Sequence, residues 1–213
     1  MSGHVQKVSS VVSTKWLAER LALRSPNLAI LDGSWHMPAE KRNPYSDYKV
    51  RHIPKAQFFD IDGCSDKRSP YDHMIPKAEE FSTYVGNLGI DNDTHVIVYD
   101  NNAKFGLFSA QRVWWTFRVF GHNLVSVLDG GLNKWIKDGY DTTDEMENVM
   151  PTKFHARYRA NLIKSFDDIQ HNFDMRDFLV VDARATGRFD GSAPEPRKGI
   201  FGLMIRVTPM CLI

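Results

Sequence analysis

The chain has 213 residues, which is enough for one large domain or for one domain and part of another. Its apolar content of 42% and charged content of 25% are ordinary for a globular protein and exclude a chain too polar to fold. Because 27 Lys and Arg residues oppose 26 Asp and Glu residues, the net charge of +1 argues against a nucleic-acid partner. The apolar runs are too short to predict a membrane-spanning helix.

Helix and strand patterns alternate along the chain. The predicted helices cover 14–24, 76–88, 107–120 and 131–138, and the predicted strands cover 28–32, 94–100 and 123–128, with a turn into another strand at 52–61. Strands separated by helix-length segments predict an α/β fold with a mainly parallel sheet flanked by helices on both faces.

The start of this pattern recurs near the end of the sequence. A helix is predicted at 165–173, and Phe178-Leu-Val-Val-Asp182 repeats Leu28-Ala-Ile-Leu-Asp32 at a distance of 150 positions. Repetition at that distance indicates that a whole domain is duplicated. We therefore expect a first domain over 1–140, a linker over 141–163 and a partial second domain over 164–213.

The turn after the strand predicted at 94–100 is one place where a ligand could bind. Ligands of open α/β sheets lie beyond the carboxyl ends of the strands, and the amides of a following helix favour an anion. Asp100 stands at the entrance of this turn and would repel an anion, so a structural turn is favoured. Gly130 and Gly131 lack the rest of a phosphate-binding pattern and favour a tight turn as well.

Three arginines, Arg184, Arg188 and Arg197, follow the predicted strand that ends at Asp182. Arginine forks hold carboxylates in a bidentate manner, which points to a small carboxylate substrate. Solvated surface arginines, with Arg188 paired to Asp182 or Asp190, are an equally good interpretation, and the spacing does not decide between the two.

A further group of reactive side chains lies in one loop, at Asp62, Cys64, Asp66, Asp72 and His73. Their spacing matches no standard metal site, and we predict neither a metal nor a cofactor. Cys64 would become a nucleophile only if a base lowered its pKa. With Cys211 it makes only two cysteines, which favours a reducing, intracellular setting.

Several motifs together resemble the tandem rhodanese-type sulfurtransferases, and within them the 3-mercaptopyruvate branch more than the thiosulfate branch. They are His52-Ile-Pro, Phe59-Asp-Ile-Asp62, Ser69-Pro-Tyr-Asp-His73-Met, Arg112-Val-Trp-Trp-Thr-Phe-Arg-Val-Phe-Gly-His122, Leu128-Asp-Gly-Gly131, and Asp182-Ala-Arg-Ala-Thr-Gly-Arg188-Phe with Pro194-Glu-Pro-Arg197. The resemblance implies two rhodanese domains, each a parallel sheet flanked by helices. It implies a second domain whose loop cysteine takes sulfane sulfur as a persulfide and passes it to a thiol or to cyanide.

The same resemblance implies roles for individual residues. Asp100 holds the place of the cysteine in the first domain, which is therefore expected to be non-catalytic. Arg188 and Arg197 resemble the clamp for the carboxylate of the substrate, while Asp62 and His73 resemble residues that face the cleft and assist the nucleophile. The implied partners are a small sulfur donor, mercaptopyruvate or thiosulfate, and a thiol acceptor, in the mitochondrion or the cytoplasm.

The sequence departs from the family in two places. Lys55 replaces the usual glycine after His52-Ile-Pro, and residues 201–213 do not continue the family pattern. We therefore expect a truncated second domain without the catalytic cysteine, a chain that is inactive alone, poor order from about residue 160, and self-association through the incomplete domain. A non-catalytic binding or regulatory module is the alternative, and a phosphatase-like relative is a third reading that Asp100 disfavours.

Overall fold

A computed structural model of the chain describes residues 8–102, 107–182 and 184–194. The chain divides into two compact units between Ile163 and Lys164. The described helices and strands of the first unit are β1 (Val11–Val12), α1 (Thr14–Ala22), β2 (Leu28–Asp32), a 3-10 turn (Pro38–Glu40), α2 (Pro44–Val50), β3 (Ala56–Phe58), α3 (Ala78–Asn87), β4 (His95–Tyr99), α4 (Ala110–Val119), β5 (Val125–Leu128), α5 (Gly131–Lys137) and a 3-10 turn (Ala160–Leu162). The second unit contains α6 (Phe166–Met175) and α7 (Thr186–Phe189).

The described strands of the first unit form one parallel sheet in the order β1-β5-β4-β2-β3. The central pair runs in register from Leu28 opposite His95 to Asp32 opposite Tyr99. Since helix-containing connections join parallel neighbours, β2 and β4 end at the same edge. The α/β prediction with a parallel, helix-flanked sheet is confirmed.

Alternate residues of each central strand bury against different helices, as the period of two in a strand requires. Leu31 and Val98 pack on one face against α3 and α4, and Ile30 and Ile97 pack on the other face against α1, α2 and α5. Both faces are therefore closed, and the edge at which the strands end is the place where polar groups can be presented.

The predicted boundaries differ from the observed ones by one to three residues at several helix and strand ends. The strand at 28–32 is found as predicted, whereas α4 begins at Ala110 rather than at 107 because the residues before it turn towards Asp100. The helix α2 was not predicted, although Asn43 caps it and Pro44 opens it, which is a recognisable start signal.

Residues 141–163, predicted to be a linker, lie on the first unit as a strap. Phe154 is buried in the core beside Phe81 and Phe117. The backbone N–H groups of Arg157 and Arg159 donate to carbonyl groups at the end of α4, each at 2.8 Å. This segment therefore extends the first unit up to Ile163.

The second unit differs from the prediction at its strand. The helix α6 forms with a capping box between Ser165 and Asp168, as the pattern at 165–173 indicates. The predicted strand at 178–182 is wrong for the described residues: Leu179 and Val181 are 63% and 49% exposed, and this segment pairs with no described strand. A strand needs a neighbour for its backbone groups, and the described residues of the second unit supply none.

Candidate functional site

The candidate site lies where β2 and β4 end, at one edge of the sheet. Asp32 closes β2, and Asp100 follows β4 directly. Both side chains are buried, with 1% exposure each. Two buried carboxylates on neighbouring strands require specific partners, because burial without them would be costly.

Asp100 finds its partners at the start of α4. Its Oδ2 accepts hydrogen bonds from the backbone N–H groups of Phe108, Ser109 and Ala110 at 2.8–2.9 Å, and its Oδ1 accepts from Asn102 at 3.1 Å. The carboxylate thus occupies the position where a helix N-terminus attracts an anion. The prediction of a structural turn agrees with this geometry, in which the negative charge is already supplied by the chain.

The other buried carboxylate is that of Asp32, at the end of β2. Burial raises its pKa to about 6, although hydrogen bonds with Ser34 and Tyr99 oppose the shift. Its Oδ1 accepts from the backbone N–H of Ser34 at 3.0 Å, and the Ser34 hydroxyl accepts from the backbone N–H of Asn101 at 2.8 Å. Ser34 therefore joins the ends of β2 and β4.

Asp62 and His73, both predicted to face the cleft, lie together at this edge. His73 Nε2 is 2.8 Å from Asp62 Oδ1, which is within ion-pair distance, although the two atoms are not aligned for a hydrogen bond. The second oxygen, Asp62 Oδ2, accepts from the indole N–H of Trp35 at 3.2 Å. The twelve-residue loop from Asp62 to His73 therefore folds so that the carboxylate at its start lies beside the imidazole at its end.

Trp35 and Arg112 also belong to this site, and the sequence reasoning did not single them out as site residues. The Trp35 ring meets His73 edge-on with centroids 4.9 Å apart, and Arg112 Nη2 donates to the backbone carbonyl of His73. His73 has a φ of 60°, which is unusual for a residue with a side chain. The position of Trp35 just after β2 was the available signal.

Cys64 lies in the same loop but does not join the site. It is buried against the core beside Phe59 and Ile61, and burial raises its pKa to about 12. A thiol with that pKa is protonated at neutral pH and is a poor nucleophile. Cys211 is outside the described residues.

In the second unit, Asp182 pairs with Arg184, whose Nη2 is 2.6 Å from Asp182 Oδ2. This pair, with a smaller contribution from Arg188, lowers the pKa of the Asp182 carboxyl. Arg188 lies half-buried on α7, while Arg197 lies outside the described residues. Of the two predicted clamp residues, the described part of the chain contains only Arg188.

The described part of the chain contains no group of three or more His, Cys, Asp or Glu side chains arranged to hold a metal ion. Each of its helices is also too short or too polar to cross a membrane.

Known proteins resemble the chain closely. Residues 13–138 match the rhodanese-like domain family. The chain is 48% identical over 199 residues to 3-mercaptopyruvate sulfurtransferase of Homo sapiens, which covers 92% of this chain and 66% of that protein. It is 48% identical over 189 residues to thiosulfate sulfurtransferase of Mus musculus, which covers 88% of this chain and 63% of that protein.

Solved structures agree. SseA of Escherichia coli, a 3-mercaptopyruvate sulfotransferase, superposes with a TM-score of 0.79 at 35% identity over 92% of this chain and 73% of that one. The Tum1 protein of Saccharomyces cerevisiae superposes with a TM-score of 0.78 at 30% identity over 91% and 66% of the two chains. The chain spans about two thirds of the length of the curated relatives named above. With this fold, these motifs and these relatives, the chain belongs to the rhodanese-like domain family.

Proposed function

We propose that the chain is part of a sulfurtransferase of the 3-mercaptopyruvate and thiosulfate type. The observation that carries this proposal is the Asp62–His73 pair, held at 2.8 Å beside the turn that Asp100 fills. The identity to 3-mercaptopyruvate and thiosulfate sulfurtransferases supports it. In this reading the first unit supplies an acid–base pair, and the nucleophile stands elsewhere.

The chemistry proposed for the complete site proceeds through a persulfide. A cysteine thiolate attacks the sulfur of mercaptopyruvate, the carbon–sulfur bond breaks, and its electron pair leaves on the enolate of pyruvate, which takes up a proton. A thiol or cyanide then attacks the outer sulfur of the persulfide and releases the thiolate. A histidine paired with a carboxylate suits the proton transfer of the first step.

This chain alone is proposed to be inactive. Asp100 takes the position of the family cysteine in the first unit, and its carboxylate cannot form a persulfide. Cys64 is buried and has a pKa of about 12, so it supplies no thiolate at neutral pH.

The second unit is proposed to be a partial rhodanese domain over 164–213 that follows a first domain over 1–140 and a linker over 141–163. A local likeness supports the repeat: Asp32 Oδ1 accepts from the N–H of Ser34 at 3.0 Å, and Asp182 Oδ1 accepts from the N–H of Arg184 at 2.9 Å. In this repeat, Arg188 and Arg197 are proposed to hold the carboxylate of the donor.

The experiment that tests inactivity is sulfide release from 3-mercaptopyruvate by the purified chain with excess dithiol. We expect no turnover above the blank for the wild type, for Cys64→Ser or for Cys211→Ser. Turnover by the wild type that either substitution abolishes would show that this chain contains a working nucleophile.

The proposed carboxylate clamp has its own test, with pyruvate as the probe. We expect Arg188→Ala to weaken the binding of pyruvate about tenfold or more, as the loss of a charged hydrogen-bonding partner does. Arg176→Ala, an exposed arginine of the same unit, is the matched control and should leave the binding unchanged. Equal binding by all three proteins would contradict the clamp.

A non-catalytic binding module is the second candidate. One observation favours it: large apolar side chains on and after α6 are exposed, among them Phe166, Phe173 and Leu179. Exposed apolar patches mark interaction surfaces, and self-association through this unit is the form we propose. Sedimentation of the wild type as a concentration-dependent dimer, reduced by Phe166→Ser, would support it, and a monomer at all concentrations would contradict it.

A further inference from the structure

The two oxygens of the Asp62 carboxylate have different partners. Oδ1 lies 2.8 Å from His73 Nε2, and Oδ2 accepts from the indole N–H of Trp35 at 3.2 Å. The side chain of Asp62 is 61% exposed, so packing does little to fix it. An exposed aspartate side chain that nothing restrains exchanges among its staggered χ1 rotamers in water.

Trp35 is far better fixed than Asp62. Its backbone N–H donates to the hydroxyl of Ser109 at 3.0 Å, and its half-buried ring stacks on Phe108 with centroids 6.2 Å apart. Ser109 is itself fixed, because its backbone N–H donates to the carboxylate of Asp100 at 2.8 Å. Hydrogen bonds therefore connect the start of α4 to the backbone of Trp35, and the stack on Phe108 holds its ring.

The same indole contacts the histidine. Its ring meets the imidazole of His73 edge-on, with an interplanar angle of 84° and centroids 4.9 Å apart. Edge-to-face contacts of this kind favour one relative orientation of two rings. Trp35 thus touches both members of the pair, through its N–H in one case and through its ring in the other.

We propose that Trp35 is the positioning residue of the Asp62–His73 pair, and that its indole N–H holds one carboxylate oxygen so that the other faces the imidazole. The importance of this role for sulfur transfer depends on the proposed function. The positioning itself is a property of this chain and can be measured without any activity.

The test is the side-chain geometry of Asp62 and His73 by NMR in the full chain. Trp35→Phe keeps an aromatic ring and removes the N–H. We expect the Hα–Hβ couplings of both residues to show a single rotamer in the wild type and rotamer averaging in Trp35→Phe. A merely structural tryptophan would alter stability without moving these couplings selectively.

Trp16→Phe is the matched control, because Trp16 is also half-buried and also meets a histidine edge-on, His95 at 5.5 Å. It should leave the couplings of Asp62 and His73 as in the wild type. Unchanged couplings in Trp35→Phe, or equal averaging in both variants, would overturn the proposal.

A second measurement covers the case in which Trp35→Phe does not fold. In Asp62→Asn the indole N–H loses its charged acceptor, so its proton resonance should shift upfield. An unshifted resonance would overturn the proposal. The couplings and the indole resonance are measured without any sulfur transfer, so they do not depend on whether the chain releases sulfide. Failure of the proposed function and failure of the positioning role are therefore distinguishable.

Discussion

The carboxylate of Asp100 accepts the hydrogen bonds of the backbone N–H groups at the start of α4. Its charge predicts that the turn does not bind an anion, and the charge alone is visible in the sequence. That the carboxylate folds back onto the N–H groups of Phe108, Ser109 and Ala110 depends on the path of the turn, which local sequence does not specify. The same limit applies to Trp35, whose partners are brought to it from distant parts of the chain.

We expect Asp100→Ala to destabilise the first unit by about 2–4 kcal/mol, because buried N–H groups lose their charged acceptor. Chemical denaturation followed by circular dichroism measures the change. Asp129→Ala is the control: Asp129 follows β5 as Asp100 follows β4, but it is exposed. Equal stability of the two variants would contradict the structural role of the Asp100 carboxylate.

Lys55 is the residue where the sequence departs from the family glycine, and it has a φ of 67°. A left-handed conformation costs a residue with a side chain roughly 1–2 kcal/mol. Since Lys55 is exposed, we expect Lys55→Gly to raise the free energy of unfolding by about 0.5–1 kcal/mol, after the loss from the greater freedom of glycine in the unfolded state. Lys49→Gly, within α2, should instead lower it, and a destabilised Lys55→Gly would show that the lysine side chain contributes more than its backbone strain costs.

At the scale of elements, the sequence predicted the strands that lie inside the sheet, but it predicted a strand wrongly where a segment has no neighbouring strand. The apolar runs of β2 and β4 become strands because each has parallel neighbours and helices above and below it. Phe178-Leu-Val-Val is similarly apolar and remains irregular, since the described part of its unit contains no strand to pair with. The sequence pattern therefore indicates which secondary structure a segment favours, and the neighbouring elements decide whether that structure forms.

Hydrogen exchange of the Val180 and Val181 amides tests whether the segment at 178–182 is unpaired. We expect them to exchange with solvent almost as fast as in an unfolded chain, whereas the amides of Val96, Ile97 and Val98 in β4 should be strongly protected. Hydrogen exchange followed by NMR gives both sets in one experiment. Strong protection of Val180 and Val181 would mean that this segment pairs after all, and it would also contradict the expectation of poor order from about residue 160.

At the scale of the whole molecule, buried ionisable groups set opposite pH dependences. Burial raises the pKa of Asp32 to about 6, so the folded state binds this proton more tightly than the unfolded state, and the free energy of unfolding falls as pH rises from about 4 to 6. Burial lowers the pKa of His95 to about 4 and also lowers that of His122. The unfolded state then binds these protons more tightly, and the free energy of unfolding falls as pH drops from about 6.5 to 4.

Single substitutions should separate the two effects. We expect Asp32→Asn to stabilise the protein relative to the wild type by about 2–3 kcal/mol at pH 7, and the difference to vanish below pH 4. His95→Gln should reduce the loss of stability in acid and leave the curve above pH 7 parallel to that of the wild type. Denaturation midpoints between pH 4 and 8 provide the comparison, and a pH-independent effect of Asp32→Asn would contradict the buried, partly protonated carboxylate.

The strap over 141–163 bears on how the chain is made. It bonds to residues far back along the sequence: His155 is 63 residues from Asn92, and Ala156 is 74 residues from Ser82. During synthesis, the strands β1 to β5 leave the ribosome before Phe154 does. At that stage the core beside Phe81 and Phe117 is still open. The core of the first unit is therefore covered only after residues near 160 have left the ribosome. Until then its aromatic side chains are exposed and form a surface that chaperones can bind.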